Sequence, residues 1–217
     1  MPLHIDIVAD FVCPWCFIGK RRLEKAAAMV RESRPDLVYT TRWQPFFLNP
    51  DTPPAGEPYL PFLEKKFGGP QAVAALFAQV RQAGAAYGID YAFEKIRLRA
   101  NTLQAHRLVH WAQGRGSGEA DKVDALVERL FVAQFQRGEA LGDPAILTAI
   151  ATECGYPASA VAAYLASAED EAEVRDAERH WRARGIRMVP TFIVNGQEVV
   201  VGAEDPAVLA GAMLRDL

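Results

Sequence analysis

Segments with β character occur only at the two ends of this 217-residue chain, and a long helical stretch separates them. Near the start, residues 3–10 (Leu-His-Ile-Asp-Ile-Val-Ala-Asp) read as a buried or half-buried strand. Residues 14–32 read as a helix with Trp15, Ile18, Leu23, Ala26 and Val30 near one face. Leu37-Val38-Tyr39-Thr40-Thr41-Arg42-Trp43 is a second strand, rich in β-branched and aromatic residues. A strand–helix–strand unit implies parallel strands joined by a right-handed crossover. Near the end, Thr191-Phe192-Ile193-Val194 and Gln197-Glu198-Val199-Val200-Val201 flank Asn195-Gly196, the dipeptide that marks a tight hairpin. Asp205-Pro206 opens a last helix. Neither end is large enough to be a domain. Paired, they make a mixed four-stranded sheet with flanking helices.

The middle has a different character. Pro45, Pro50, Pro53, Pro54 and Pro58 crowd one stretch, which reads as a linker or ordered loop. From about residue 59 to residue 184 no strand pattern stands out. Apolar residues recur at helical spacing instead, at 70–87, at 102–113 and, most regularly, from Val123 to Phe135. Asp143-Pro144 is a helix start and Gly155-Tyr156-Pro157 a stop, with further helices expected near 157–168 and 170–184. The expected division is a discontinuous domain of residues 1–50 and 185–217, with an all-helical domain, 51–184, inserted in it.

The chemistry concentrates in Asp10-Phe-Val-Cys13-Pro-Trp-Cys16-Phe-Ile-Gly-Lys20, where the first strand hands over to the first helix. Pro14 suits the first helical position, where a missing N–H costs nothing. Cys13 then sits where free N–H groups and the positive end of the helix dipole favour a thiolate, the nucleophilic form. Cys16 lies one turn on, within reach, so the pair can close and reopen by exchange. Half of a zinc site is the competing reading. It needs two more ligands at close spacing, and Cys154, His4, His106, His110 and His180 form no such cluster. A permanent bridge across one turn closes almost no loop and would stabilise little. Redox chemistry on a thioredoxin-like α/β fold is the reading that remains.

Five stretches carry a resemblance: Cys13-Pro-Trp-Cys16-Phe-Ile-Gly-Lys20, Trp43-Gln-Pro-Phe-Phe-Leu-Asn-Pro50, Asn101-Thr-Leu-Gln-Ala-His106-Arg-Leu108, Met188-Val-Pro-Thr-Phe192 and Val201-Gly-Ala203. In this order the chain resembles the DsbA-like branch of the thioredoxin superfamily, and within it the FrnE-like proteins. The resemblance implies a thioredoxin fold interrupted by a helical domain, and a protein disulfide oxidoreductase or isomerase working through Cys13 and Cys16. It also implies that Pro190 is a cis-proline facing the cysteines. The residues alone favour an ordinary trans proline at a strand's first position. Val189 would offer its backbone to a substrate strand, Trp15 would contact peptide or glutathione, and His106 and Asn49 would line the substrate site. His106 also fits a hydrogen-bonded core position. DsbA proper carries a histidine between its cysteines; Trp15 brings no charge, so a less oxidising disulfide is expected here. The related 2-hydroxychromene-2-carboxylate isomerases and kappa-class glutathione transferases place serine at the position of Cys13. They supply the alternative, a glutathione-dependent isomerase or transferase acting on a small aromatic molecule.

The expected partners are protein or small-molecule thiols and disulfides, with glutathione a candidate co-substrate and no tightly bound cofactor or metal. A net charge of −3 and the lack of a long basic run argue against nucleic acid. No segment is apolar enough for a membrane span, and no basic-then-apolar leader precedes the first strand. Three cysteines suit a reducing compartment, so a cytoplasmic protein is expected, its oligomeric state open with a dimer among the options. Lys20 is expected on a solvated face, and Cys154 as a buried structural thiol.

Overall fold

The computed structural model describes residues 3–115 and 119–215. The chain forms two compact units. One takes the residues up to Phe46 and from Asp176 onward; the other takes Phe47–Arg175.

The first unit is built on four strands in the order β2-β1-β5-β6. Strand β1 (Leu3–Ala9) is central. It pairs parallel with β2 (Tyr39–Pro45) in the register Ile5 to Thr41, and antiparallel with β5 (Thr191–Val194) in the register Ile5 to Val194. Strand β6 (Glu198–Val201) closes the hairpin with β5. Asn195 and Gly196 both have positive φ, 47° and 75°, as the tight turn between these strands requires. The turn is also tied to β1, because the His4 N–H donates to Asn195 Oδ1 at 2.9 Å. Leu3, Ile5 and Ile7 are buried on one face of β1 and Val8 on the other, where His4 and Asp6 are half-buried. Helix α1 (Pro14–Ser33) starts directly after the β1 turn, and α9 (Pro206–Arg215) packs beside it. Asp205 begins α9 by accepting from the Ala207 N–H at 2.8 Å.

The second unit is helical, with α2 (Tyr59–Phe67), α3 (Pro70–Ala85), α4 (Leu103–Gln113), α5 (Ala120–Val132), α6 (Pro144–Glu153) and α7 (Ala158–Ala166). Helix α8 (Glu171–Ala183) begins in this unit and runs on into the first. Two features depart from the reading of the sequence. Helix α2 occupies part of the proline-rich stretch, because Pro61 falls in its first turn, where proline is tolerated. A short antiparallel ladder also pairs β3 (Glu57–Pro58) with β4 (Leu98–Arg99), inside the segment expected to hold no strand. Two residues per strand are too few to show alternation. Helix α5 ends in a wider π turn, Ala133–Arg137, and Gly138 closes it at φ 69°. An aromatic stack fills the core beside it. Phe77 lies 4.2 Å from Phe93, Phe93 lies 5.1 Å from Tyr91, and Phe135 meets Tyr91 edge-on.

Candidate active site

The turn after β1 places Cys13 as the residue preceding α1, in extended conformation, with Pro14 at the first helical position. The Cys13 N–H donates to the Asp10 carbonyl at 3.0 Å, and the Cys16 N–H to the Cys13 carbonyl at 3.1 Å. These two bonds wind the Cys-Pro-Trp-Cys segment into the first helical turn. Both sulfurs are thiols here. Cys13 keeps 5% of its surface exposed and Cys16 none. Burial pushes the Cys16 thiol well up in pKa, and its hydrogen bond with Cys13 adds to this. Cys16 is therefore held as a neutral thiol behind Cys13.

The strand from the other end of the chain meets this pair. The Val189–Pro190 peptide is cis. The Cys13 thiol lies 3.7 Å from the Val189 carbonyl oxygen, to which it donates. The segment is fixed on both sides. Thr191 Oγ1 donates to the Met188 carbonyl at 2.7 Å, and the Gly202 N–H to the Pro190 carbonyl at 2.7 Å. Gly19, one turn along α1, allows the close approach: a Cβ there would lie 2.7 Å from Pro190 Cγ and 3.2 Å from Phe192 Cζ. Glycine inside a helix costs about 1 kcal/mol relative to alanine, and this contact is the reason for it. Gly19→Ala should overpack the site and lower stability by about 1–3 kcal/mol. A urea midpoint within experimental error of the wild type would show that Pro190 gives way freely.

Of the residues the sequence singled out, Cys13, Cys16, Trp15, Val189 and Pro190 all belong to the first unit. Trp15 and Val189 are half-buried and Pro190 is buried. His106 and Asn49 belong to the second unit. His106 is 6% exposed and meets Phe47 edge-to-face at 5.4 Å. The Asn49 side chain accepts from Lys66 Nζ at 3.2 Å, and its carbonyl accepts from Thr52 Oγ1 at 2.8 Å.

Two expectations need correction. Lys20 is not on a solvated face: it is 3% exposed and paired with Glu24, because it stands one helical turn beyond buried Cys16 on the same side of α1. Cys154 is only half-buried, since it stands at the C-terminal cap of α6 and not inside the apolar stripe; burial still pushes its pKa upward. Asp10 is 1% exposed beside the cysteines. Among the described residues no three His, Cys, Asp or Glu side chains gather as a metal site, and no helix is long and apolar enough to cross a membrane.

A pair of thiols with these positions is what thiol–disulfide exchange uses: one at a helix start, one buried behind it. The DSBA-like thioredoxin domain matches residues 4–214. The chain belongs to that family. It is 28% identical over 204 residues to the uncharacterized protein YwbO of Bacillus subtilis (strain 168), covering 94% of this chain and 92% of that one. The structure of a probable DsbA oxidoreductase from Streptomyces coelicolor superposes with a TM-score of 0.83 at 29% identity, over 98% of this chain and 89% of that one. The cytosolic disulfide reductase DsbM of Pseudomonas aeruginosa shares the fold, with a TM-score of 0.66 at 16% identity over 98% of both chains. That protein has also been solved with GSH, where the TM-score is 0.62.

Proposed function

We propose that this protein is a thiol–disulfide oxidoreductase that exchanges disulfides through Cys13 and Cys16. The Cys13 thiolate attacks one sulfur of a substrate disulfide; a Cys13–substrate bond forms and the first substrate thiolate leaves. Cys16 loses its proton and attacks Cys13, so the internal disulfide closes and the second substrate thiolate leaves. The substrate gains two electrons and the enzyme loses them. Two thiols such as glutathione restore the dithiol: the first opens the Cys13–Cys16 bond as a mixed disulfide, and the second displaces it and leaves with it as oxidised glutathione. The single observation that carries this reading is the buried Cys16 thiol in hydrogen-bond contact with Cys13, whose own thiol meets the Val189 carbonyl. The family supports the oxidoreductase class, and the likeness in fold to DsbM, a cytosolic disulfide reductase also solved with GSH, supports glutathione as the reductant in a reducing compartment. A glutathione-dependent isomerase would have no use for a resolving thiol at Cys16.

The test is a redox titration. The protein is equilibrated in reduced and oxidised glutathione at varied ratio, quenched in acid, alkylated, and read by intact mass. Cys13 and Cys16 should convert together to one internal disulfide. A midpoint near −270 mV marks a reductant and one near −120 mV an oxidant. A stable single glutathione adduct at every ratio would overturn the dithiol mechanism.

A further inference from the structure

Thr191 opens β5 and is fully buried, and the other residues of that strand, Phe192, Ile193 and Val194, are apolar. Valine has the same branched shape and would bury no oxygen there. A buried hydroxyl is tolerated when it finds a partner, and this one donates to the Met188 carbonyl at 2.7 Å. The bond ties a fixed point to a loose one. Thr191 is locked in the sheet, in register with Val8 of β1 and Val201 of β6. Upstream, the Ile186 N–H closes onto the Trp181 carbonyl at 3.1 Å. Between Ile186 and Pro190 the backbone of Arg187, Met188 and Val189 has two hydrogen-bond partners among the described residues, the Thr191 hydroxyl and the Cys13 thiol.

A thiol is a weak donor, so of these two only Thr191 can hold the segment in place. What it holds there opposes the helix start. Free N–H groups at the start of α1 favour the Cys13 thiolate. The Val189 carbonyl, 3.7 Å away, accepts from the thiol and would repel the thiolate.

We infer that Thr191 is a positioning residue, whose hydroxyl keeps the Val189 carbonyl on Cys13 and so retains the proton on the nucleophile of the resting protein. Its consequence for catalysis rests on the thiol–disulfide function proposed above. The ionisable groups that this unit places around the two thiols are Asp10 in the turn before α1, Lys20 with Glu24 on α1, and Arg187 on the tethered segment. A substitution at Thr191 changes none of them.

The experiment follows alkylation of Cys13 by iodoacetamide from acid to alkaline pH, with the modified residue identified by peptide mass. In Thr191→Val the rate on the acid limb should rise about threefold relative to the alkaline plateau, because one weak hydrogen bond to the proton is lost. Thr191→Ser keeps the hydroxyl and should follow the wild type. The plateau is set by the thiolate in every protein, so dividing by it within each variant removes differences in access. A Thr191→Val profile that overlays the wild type overturns the inference. Thr191→Ser moving as far as Thr191→Val also overturns it, since packing and not the hydroxyl would then be at work. Alkylation needs no second thiol and no disulfide, so its outcome is read apart from that of the glutathione titration.

Discussion

Cys16→Ser should turn the protein into a trap that keeps its substrate. Cys16 has no exposed surface, and serine is close to isosteric, so the fold around it should hold. The hydroxyl cannot exchange with a disulfide. Cys13 still attacks, the first thiolate still leaves, and the mixed disulfide then has no internal route to resolution. Steady-state turnover should fall by on the order of a thousandfold, while an adduct of substrate mass on Cys13 accumulates to one equivalent. Cys13→Ser should form no adduct. The wild-type resolving step should also quicken as pH rises through neutrality, because burial pushes the Cys16 pKa up and only the thiolate attacks. That pH-dependent release should be missing from Cys16→Ser. Stopped-flow detection of each departing thiol, with mass analysis of the quenched enzyme, separates the two steps. Wild-type turnover in Cys16→Ser would remove Cys16 from the mechanism and leave chemistry centred on one cysteine.

Arg107→Met should be the most damaging single change to the helical unit. Arg107 is fully buried on α4. Its Nε donates to the Glu169 carbonyl at 2.9 Å, and its Nη2 donates to the carbonyls of Glu169 and Ser167 at 2.6 and 2.9 Å and of Tyr164 at 3.3 Å. Nη1 donates to Gln104 Oε1 at 2.7 Å. One guanidinium therefore satisfies the backbone between α7 and α8, and the Tyr164 hydroxyl donates back to the Arg107 carbonyl at 3.0 Å. Methionine fills similar length and takes the Arg107 donors from the part-buried Glu169 and Ser167 carbonyls, while the Tyr164 carbonyl keeps the Ser167 hydroxyl and N–H. The expected loss is about 2–3 kcal/mol, the range for taking a charged hydrogen-bond donor from its acceptors. For a chain of this size that is a fall of roughly 5–10 °C in Tm. Arg107→Lys keeps the charge but not the planar fork and should recover only part. A urea denaturation series measures all three proteins, and a loss below about 1 kcal/mol for methionine would show that water or a rearranged loop satisfies the carbonyls instead.

The sheet was legible because its signals are local. Residues 3–10 and 37–43 are strand-like over seven or eight positions, and Asn195-Gly196 marks the hairpin by its backbone conformation alone. The start of α1 was legible from Pro14, and the start of α6 from Asp143-Pro144. The parts that escaped depend on packing that residue types alone do not announce. Lys20 sits in a Lys-Arg-Arg run that looks solvated, and only the placement of Cys16 and Glu24 on the same side of α1 shows it to be buried. Arg107 stands four residues after Leu103 on the stripe that points inward. That position was a usable clue, but its carbonyl partners lie about sixty residues away. Gly19 reads as a helix defect until Pro190 is seen against it. That Pro190 is cis and faces the cysteines followed only from the resemblance, since no spacing rule links residues so far apart, and the bond from Cys13 to the Val189 carbonyl came from the structure.

The register of β1 with β5 sets an order of events for a nascent chain. Ile5 is made 189 residues before its partner Val194. At roughly 5–20 residues per second, the N-terminal strand waits on the order of 10–40 seconds for it. The inserted helical unit leaves the ribosome whole during that interval. Throughout it, Cys13 and Cys16 lack the strand that later meets them, and both thiols are open to any disulfide nearby. Until Val189 and the strand after it emerge, the future catalyst has the exposure of a client.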